Sequence, residues 1–200
     1  MAFRAAIVIS CLFVGFSHEF NGGCGLSDWR PHGSTIFNGE EVPPIKYPWQ
    51  VYLYTVSGGF CGGAVISNFH ILTAAHCLVN VVGDLKIVLG ADTLYESESN
   101  YVKASKYKIY PGYQKSRGYV NTSDIGIVTL PYSIPFNSTI RPICLPVDAS
   151  DLFIGRNATI AGWGTQTMAS NASVSNKLME ANVEVISNQQ CSWQFIKKYK

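Results

Sequence analysis

His76 stands directly before a cysteine in the run CGGAVISNFHILTAAHC, whose two ends are Cys61 and Cys77. A disulfide closing this run would pin the backbone of His76 to the strand before it, and a general base needs that rigidity. A second mark is NTSDIGIVTL, in which Asp124 opens a strand whose remaining side chains are apolar or small. A carboxylate at the mouth of a buried strand is costly unless something pairs with it. His76 with Asp124 is the economical pairing, because a carboxylate on one ring nitrogen fixes the tautomer and leaves the other nitrogen free to take a proton. Taken singly, each has a plainer explanation: a structural histidine beside a cystine, and an acid capping a turn.

The elements that must hold these two side chains are strands. From Trp49 onward the short apolar or alternating runs WQVYLYTV, GGAVI, HILTAA, LKIVL, YKIY, DIGIVTL, ATIAGW and ANVEVI recur with turn signals between them, a pattern that predicts an all-β sandwich or barrel. Only Ser187–Tyr199 reads as helix. Composition agrees: of 200 residues 47% are hydrophobic, 12% aromatic and 14% charged, with 18 Gly and 9 Pro, so a core can be buried and a disordered chain is excluded. A net charge of +2, spread along the chain, leaves no electrostatic footprint for nucleic acid. The chain begins with Arg4 ahead of a twelve-residue uncharged stretch, Ala5 to Phe16, which reads as a secretion signal cleaved after Ser17 and is too short to span a bilayer. Residues 18–35 then read as a leader arm without apolar period. Secretion makes disulfides the default for Cys24, Cys61, Cys77, Cys144 and Cys191, an odd number. It also makes Asn121, Asn137, Asn157 and Asn171 glycosylation candidates, each opening an Asn-x-Ser/Thr triplet. No metal is expected: His70 and His76 lack a Cys-x-x-Cys to complete a zinc site, and no glycine-rich phosphate loop is present, so no cofactor is expected either. The loop ADTLYESESN offers Glu96 and Glu98 to a hard cation but has Ala91 in its first position.

YPWQVYL, TAAHC, DIGIVTL, RPICLP and AGWGT occur in the order found in trypsin-like and chymotrypsin-like serine proteases, and the chain resembles that family from about Cys24 to Cys191. The resemblance implies two six-stranded antiparallel β-barrels, with the protease domain at 36–200, the first barrel at about 36–140 and a second, only partly present, at about 157–200. It implies that His76 is the general base and Asp124 the residue orienting it. It pairs Cys61 with Cys77 and Cys24 with Cys144, the latter as the tether of a propeptide. It places Ile36, in IFNG, at the new N-terminus made by activation, where the freed amine pairs with an aspartate beside the nucleophile.

Departures from the family pattern are equally definite. No Gly-Asp-Ser-Gly run occurs, and the family places it a few dozen residues beyond the cysteine that Cys191 matches, so the resemblance implies a C-terminally incomplete chain, inactive by itself. Thr35 precedes Ile36 where the family has Arg or Lys. Ala158 stands where a cysteine is common, removing one cross-link. The expected function is a secreted serine endopeptidase acting on proteins or peptides, met also by protease inhibitors, monomeric and free of membranes once the signal is removed. The alternative is a non-catalytic homologue that binds or regulates.

Overall fold

A computed structural model describes residues 23–29, 40–41, 45–55, 59–94, 101–115, 121–148, 150–165 and 173–199. Ile36, Asn171, Thr35, Glu96, Glu98 and residues 1–17, read above as a secretion signal, lie outside the described residues. The described elements are β1 (Glu40–Glu41), β2 (Gln50–Thr55), β3 (Phe60–Val65), β4 (His70–Thr73), a 3-10 turn (Ala75–Cys77), β5 (Leu85–Leu89), β6 (Val102–Lys103), β7 (Lys106–Ile109), β8 (Gly126–Thr129), β9 (Asn157–Gly162), β10 (Met179–Glu184) and α1 (Asn188–Tyr199). Each of the eight apolar runs forms a strand, and the helix lies within one residue of the stretch read as helical. The last residues of HILTAA depart from the strand and enter the 3-10 turn.

One antiparallel sheet has the order β6-β5-β2-β3-β4-β8-β7, and a smaller one has the order β1-β10-β9. The fold is therefore all-β, with one large curled sheet and one smaller sheet. Alternation builds the large sheet's core. Val51 and Leu53 of β2, Ile71 of β4, Ile87 of β5 and Val128 of β8 turn to the same side and are essentially fully buried, together with Val65 and Leu78. At about 1.5–3 kcal/mol for each such side chain, this cluster is the main source of the sheet's stability. Gly63 lets β3 and β4 meet: a Cβ there would stand 2.8 Å from the Leu72 carbonyl oxygen and 2.9 Å from Leu53.

A second cluster, Leu94, Ala161, Trp163 and Leu178, lies under the smaller sheet. Tyr52 joins the two, packing its outward ring edge-on to Trp163 at 6.0 Å between centroids. Polar contacts reinforce this junction. Glu180 of β10 accepts from Lys46 Nζ at 2.6 Å and from the Tyr47 hydroxyl, both just ahead of β2. Burial and this carboxylate push the Tyr47 hydroxyl well above the usual phenol range.

Residues 23–29 are held against the body of the fold. A Cys24–Cys144 disulfide joins them to the RPICLP segment, the Gly25 N–H donates to the Pro142 carbonyl at 2.8 Å, and Arg141 pairs with Asp28 at 2.7 Å. Among the described residues no helix is long and apolar enough to cross a membrane.

Candidate active site

β4 and β8 bring the two candidate residues together through register. Thr73, the last residue of β4, lies opposite Gly126, the first of β8. In an antiparallel pair the chain leaving one strand runs beside the chain entering the other. His76, three residues past Thr73, therefore meets Asp124, two residues ahead of Gly126. Close approach demands small residues here. Ala74 and Ala75 are buried, and a Cβ on Gly126 would fall 2.6 Å from Leu78 Cδ1 and 3.2 Å from the Lys108 carbonyl oxygen.

Four ties hold the His76 backbone. The 3-10 turn closes with Cys77 N–H on the Ala74 carbonyl at 3.2 Å and Leu78 N–H on the Ala75 carbonyl at 2.9 Å. Leu78, 1% exposed, plugs the turn into the core. The Cys61–Cys77 disulfide bonds the turn to β3, and the buried Thr73 hydroxyl donates to the Gly62 carbonyl at 2.8 Å.

Asp124 grips this turn twice. Its Oδ1 accepts the His76 backbone N–H at 2.8 Å, and its Oδ2 lies 2.6 Å from His76 Nδ1. Burial alone would push the Asp124 carboxyl up, but hydrogen bonds from the His76 ring and backbone, the ring's charge and a further bond from the Asn121 side chain outweigh it and hold the carboxyl below its usual range. An ionised carboxylate only accepts, so Nδ1 carries the proton, and whenever the ring is neutral Nε2 is the nitrogen left with a lone pair. The two side chains remain 30% and 22% exposed, so the ring's far edge is accessible.

The lowered Asp124 acidity fixes a pH dependence. A carboxyl whose folded pKa lies below its unfolded value contributes stability above about pH 4 and loses it as pH falls through the folded pKa. Urea unfolding followed from about pH 5 down to about pH 2 should show a loss of stability whose Asp124 share vanishes in Asp124→Asn. An identical pH slope in the variant would remove this assignment.

His76 Nδ1 or Nε2 lies within 4.8 Å of the sulfurs of Cys61 and Cys77, a spacing that could hold a metal. Those sulfurs are bonded to each other, so neither offers a thiolate, and the cluster fixes His76 rather than presenting a cation site. Cys191 is free and exposed among the described residues. Asn137 and Asn157 are exposed, Asn137 accepting from the Thr139 and Ile140 amides at 2.8 and 2.9 Å. His70 belongs elsewhere, with its Nδ1 2.9 Å from the Ser67 hydroxyl. Two participants go beyond the sequence reading. One is the Asn121 side chain on Asp124, whose only sequence signal was a glycosylation triplet. The other is Tyr113, whose buried hydroxyl is pushed up by burial and then by the Asp124 charge.

The family model described as Trypsin matches residues 36–200. Trypsin delta of Drosophila erecta is 33% identical over 175 residues, covering 84% of this chain and 67% of the relative. The clotting factor G beta subunit of Tachypleus tridentatus is 30% identical over 179 residues, covering 84% of this chain and 55% of that protein. Among solved structures, neuropsin, a serine protease expressed in the limbic system of mouse brain, is similar with a TM-score of 0.66 and 26% identity, covering 78% of this chain and 67% of that one. The chain thus spans about two thirds of the length of the trypsins it matches.

Proposed function

The chain belongs to the trypsin family of serine proteases, and from that premise we propose that it carries the base half of a secreted endopeptidase. His76 Nε2 takes the proton from a serine hydroxyl as its oxygen attacks the peptide carbonyl, then delivers that proton to the departing amine. Asp124 stays ionised, holds the ring in the productive tautomer and stabilises the imidazolium formed in between. The observation that carries the reading is the double grip of Asp124 on the His76 ring and backbone at 2.6 and 2.8 Å.

The finer architecture follows the same reading. β6 and β7 are separated only by Ala104 and Ser105, whose amides donate to Leu85 at the end of the β5 ladder and to Thr129 of β8, each at 2.9 Å. We take 102–109 as one bent strand serving both edges, so that the large sheet closes as a six-stranded barrel within about 36–140. The smaller sheet then represents part of a second barrel at about 157–200. Residues 1–17 are a secretion signal, 18–35 a leader kept by Cys24–Cys144 after cleavage, and Ile36 the new N-terminus. Peptides, proteins and protease inhibitors are the partners of a monomer outside the cell, with Asn121, Asn137, Asn157 and Asn171 as glycan acceptors. A binding or regulatory homologue is the second reading. It is favoured by Thr35 where an activator needs a basic residue.

Labelling with a fluorophosphonate, which needs an activated serine, tests whether His76 acts as the base for one. The 200-residue chain is expected to remain unlabelled. Fused to the part of Trypsin delta beyond the matched region, and given Thr35→Arg so that a trypsin can cut ahead of Ile36, it is expected to take the probe on the added serine and to lose it in His76→Ala. Labelling of the 200-residue chain alone, or fusion labelling indifferent to His76→Ala, would contradict the proposal.

A further inference from the structure

The turn at residues 137–140 is closed by one side chain. Asn137 Oδ1 accepts from the Thr139 amide at 2.8 Å, the Thr139 hydroxyl at 2.9 Å and the Ile140 amide at 2.9 Å. Its main chain is taken as well: the N–H donates to the Ile140 carbonyl at 3.0 Å, and the carbonyl accepts from Arg141 Nε at 2.9 Å. Backbone amides only donate, so the atom facing them is the side-chain oxygen, and Nδ2 occupies the other branch of the carboxamide. Among the described residues nothing accepts a hydrogen from it. The triplet Asn137-Ser138-Thr139 is exposed throughout, and so is the ring just ahead of it, Phe136, at 45%. Ile134 is buried in the core and Ile140 packs against it, so the segment is anchored on both sides while Phe136 and Asn137 stand on the surface. The turn's bonds join residues at most four apart, so it can form before any sheet does. At Asn157 the same kind of triplet is spread along β9, and the Thr159 hydroxyl donates instead to Asn182 Oδ1 of β10 at 2.9 Å.

We propose that Asn137 carries an N-linked glycan and that the Phe136 ring is the seat of its first sugar. This deepens the reading of the chain's asparagines as glycan acceptors, and rests on it. In the transfer, Nδ2 bonds the anomeric carbon of an oligosaccharide carried on a lipid pyrophosphate. The carbon–oxygen bond to the pyrophosphate breaks, the pyrophosphate leaves with the electron pair, and Nδ2 gives up one of its two protons. The substituent belongs in solvent, where this nitrogen already stands. Every bond of the turn survives, since each uses Oδ1 or the main chain and none uses Nδ2. The sugar on Nδ2 has an apolar face made of its ring C–H bonds, and a face of that kind packs on an aromatic ring. Phe136, one residue away, offers such a ring, and covering it takes apolar surface out of water.

Peptide mapping of the 200-residue chain recovered from the secretory pathway of an animal host should find glycan on Asn137. Thr139→Ala, which leaves no triplet there, should abolish it. Urea unfolding then compares the parent with Phe136→Ala, each made in that host and trimmed enzymatically to one sugar per site, and each made in a bacterium that adds none. The sugar should raise the folding equilibrium constant of the parent about fivefold more than that of Phe136→Ala, the size of one aromatic packing contact. Sugars at other triplets cancel in this comparison. Equal gains in the two chains would overturn the seat on Phe136. Glycan elsewhere with Asn137 bare would overturn this proposal alone, whereas no glycan on any triplet would overturn with it the reading of the asparagines as acceptors. The protease reading is judged separately, by probe labelling of the fusion.

Discussion

Replacing Cys24 and Cys144 together by serine is expected to lower stability by about 5 kcal/mol, against about 3 kcal/mol for the pair Cys61 and Cys77. Both figures follow from loop closure in the unfolded chain. The first bridge joins residues 120 apart and the second residues 16 apart, and the entropy removed grows with the logarithm of the loop. The contacts around the arm cannot substitute for the bond. Arg141 with Asp28, Ser27 on the Ile45 carbonyl and Lys46 over the Trp29 ring are surface contacts of about 1 kcal/mol or less each. Against a total of about 5–15 kcal/mol for a domain, the loss would leave the chain close to unfolding. Urea denaturation of the two double variants beside the parent checks the order. Local consequences should run the other way, since Cys61–Cys77 braces the turn of His76 and Cys24–Cys144 does not. A loss under about 1 kcal/mol for Cys24 and Cys144 would mean that the arm's bond constrains little.

Much of this fold could be read from periodicity because its strands are long enough to alternate. β2, β5 and β8 show their buried faces directly, through Val51 and Leu53, Leu85 and Ile87, and Val128. β1 and β6 were not visible, because two residues carry no period. His76 and Asp124 were legible because each sits in a run whose neighbours are small or apolar, so a polar side chain there needs a partner. The Asp124 bond to the backbone of His76 was not legible, since it depends on the 3-10 turn presenting that amide toward β8. Asn121 was hidden for a related reason. The turn between it and Asp124 has Ser123 at a left-handed φ of 53°, a conformation that serine does not advertise. The disulfide partners also needed more than spacing, as four cysteines allow three pairings. Glu180 with Lys46 and Tyr47 joins segments more than 130 residues apart, a contact that only the packed sheets determine.

The largest functional effect is expected from Asp124→Asn, a change that keeps the shape of the side chain and removes its charge. The carboxylate forces the His76 proton onto Nδ1; an amide can instead present its own N–H to Nδ1, which drives the proton to Nε2. An imidazole protonated at Nε2 cannot take a proton from serine. In the fusion that supplies a nucleophile the variant should therefore lose about 10⁴-fold in kcat, as triads do when this tautomer is lost. Base catalysis by His76 rests on that tautomer, and nitrogen NMR of His76 in the 200-residue chain reads it directly. The proton is expected on Nδ1 in the parent chain and on Nε2 in Asp124→Asn. A proton on Nε2 in the parent, or a tautomer indifferent to Asp124→Asn, would contradict it.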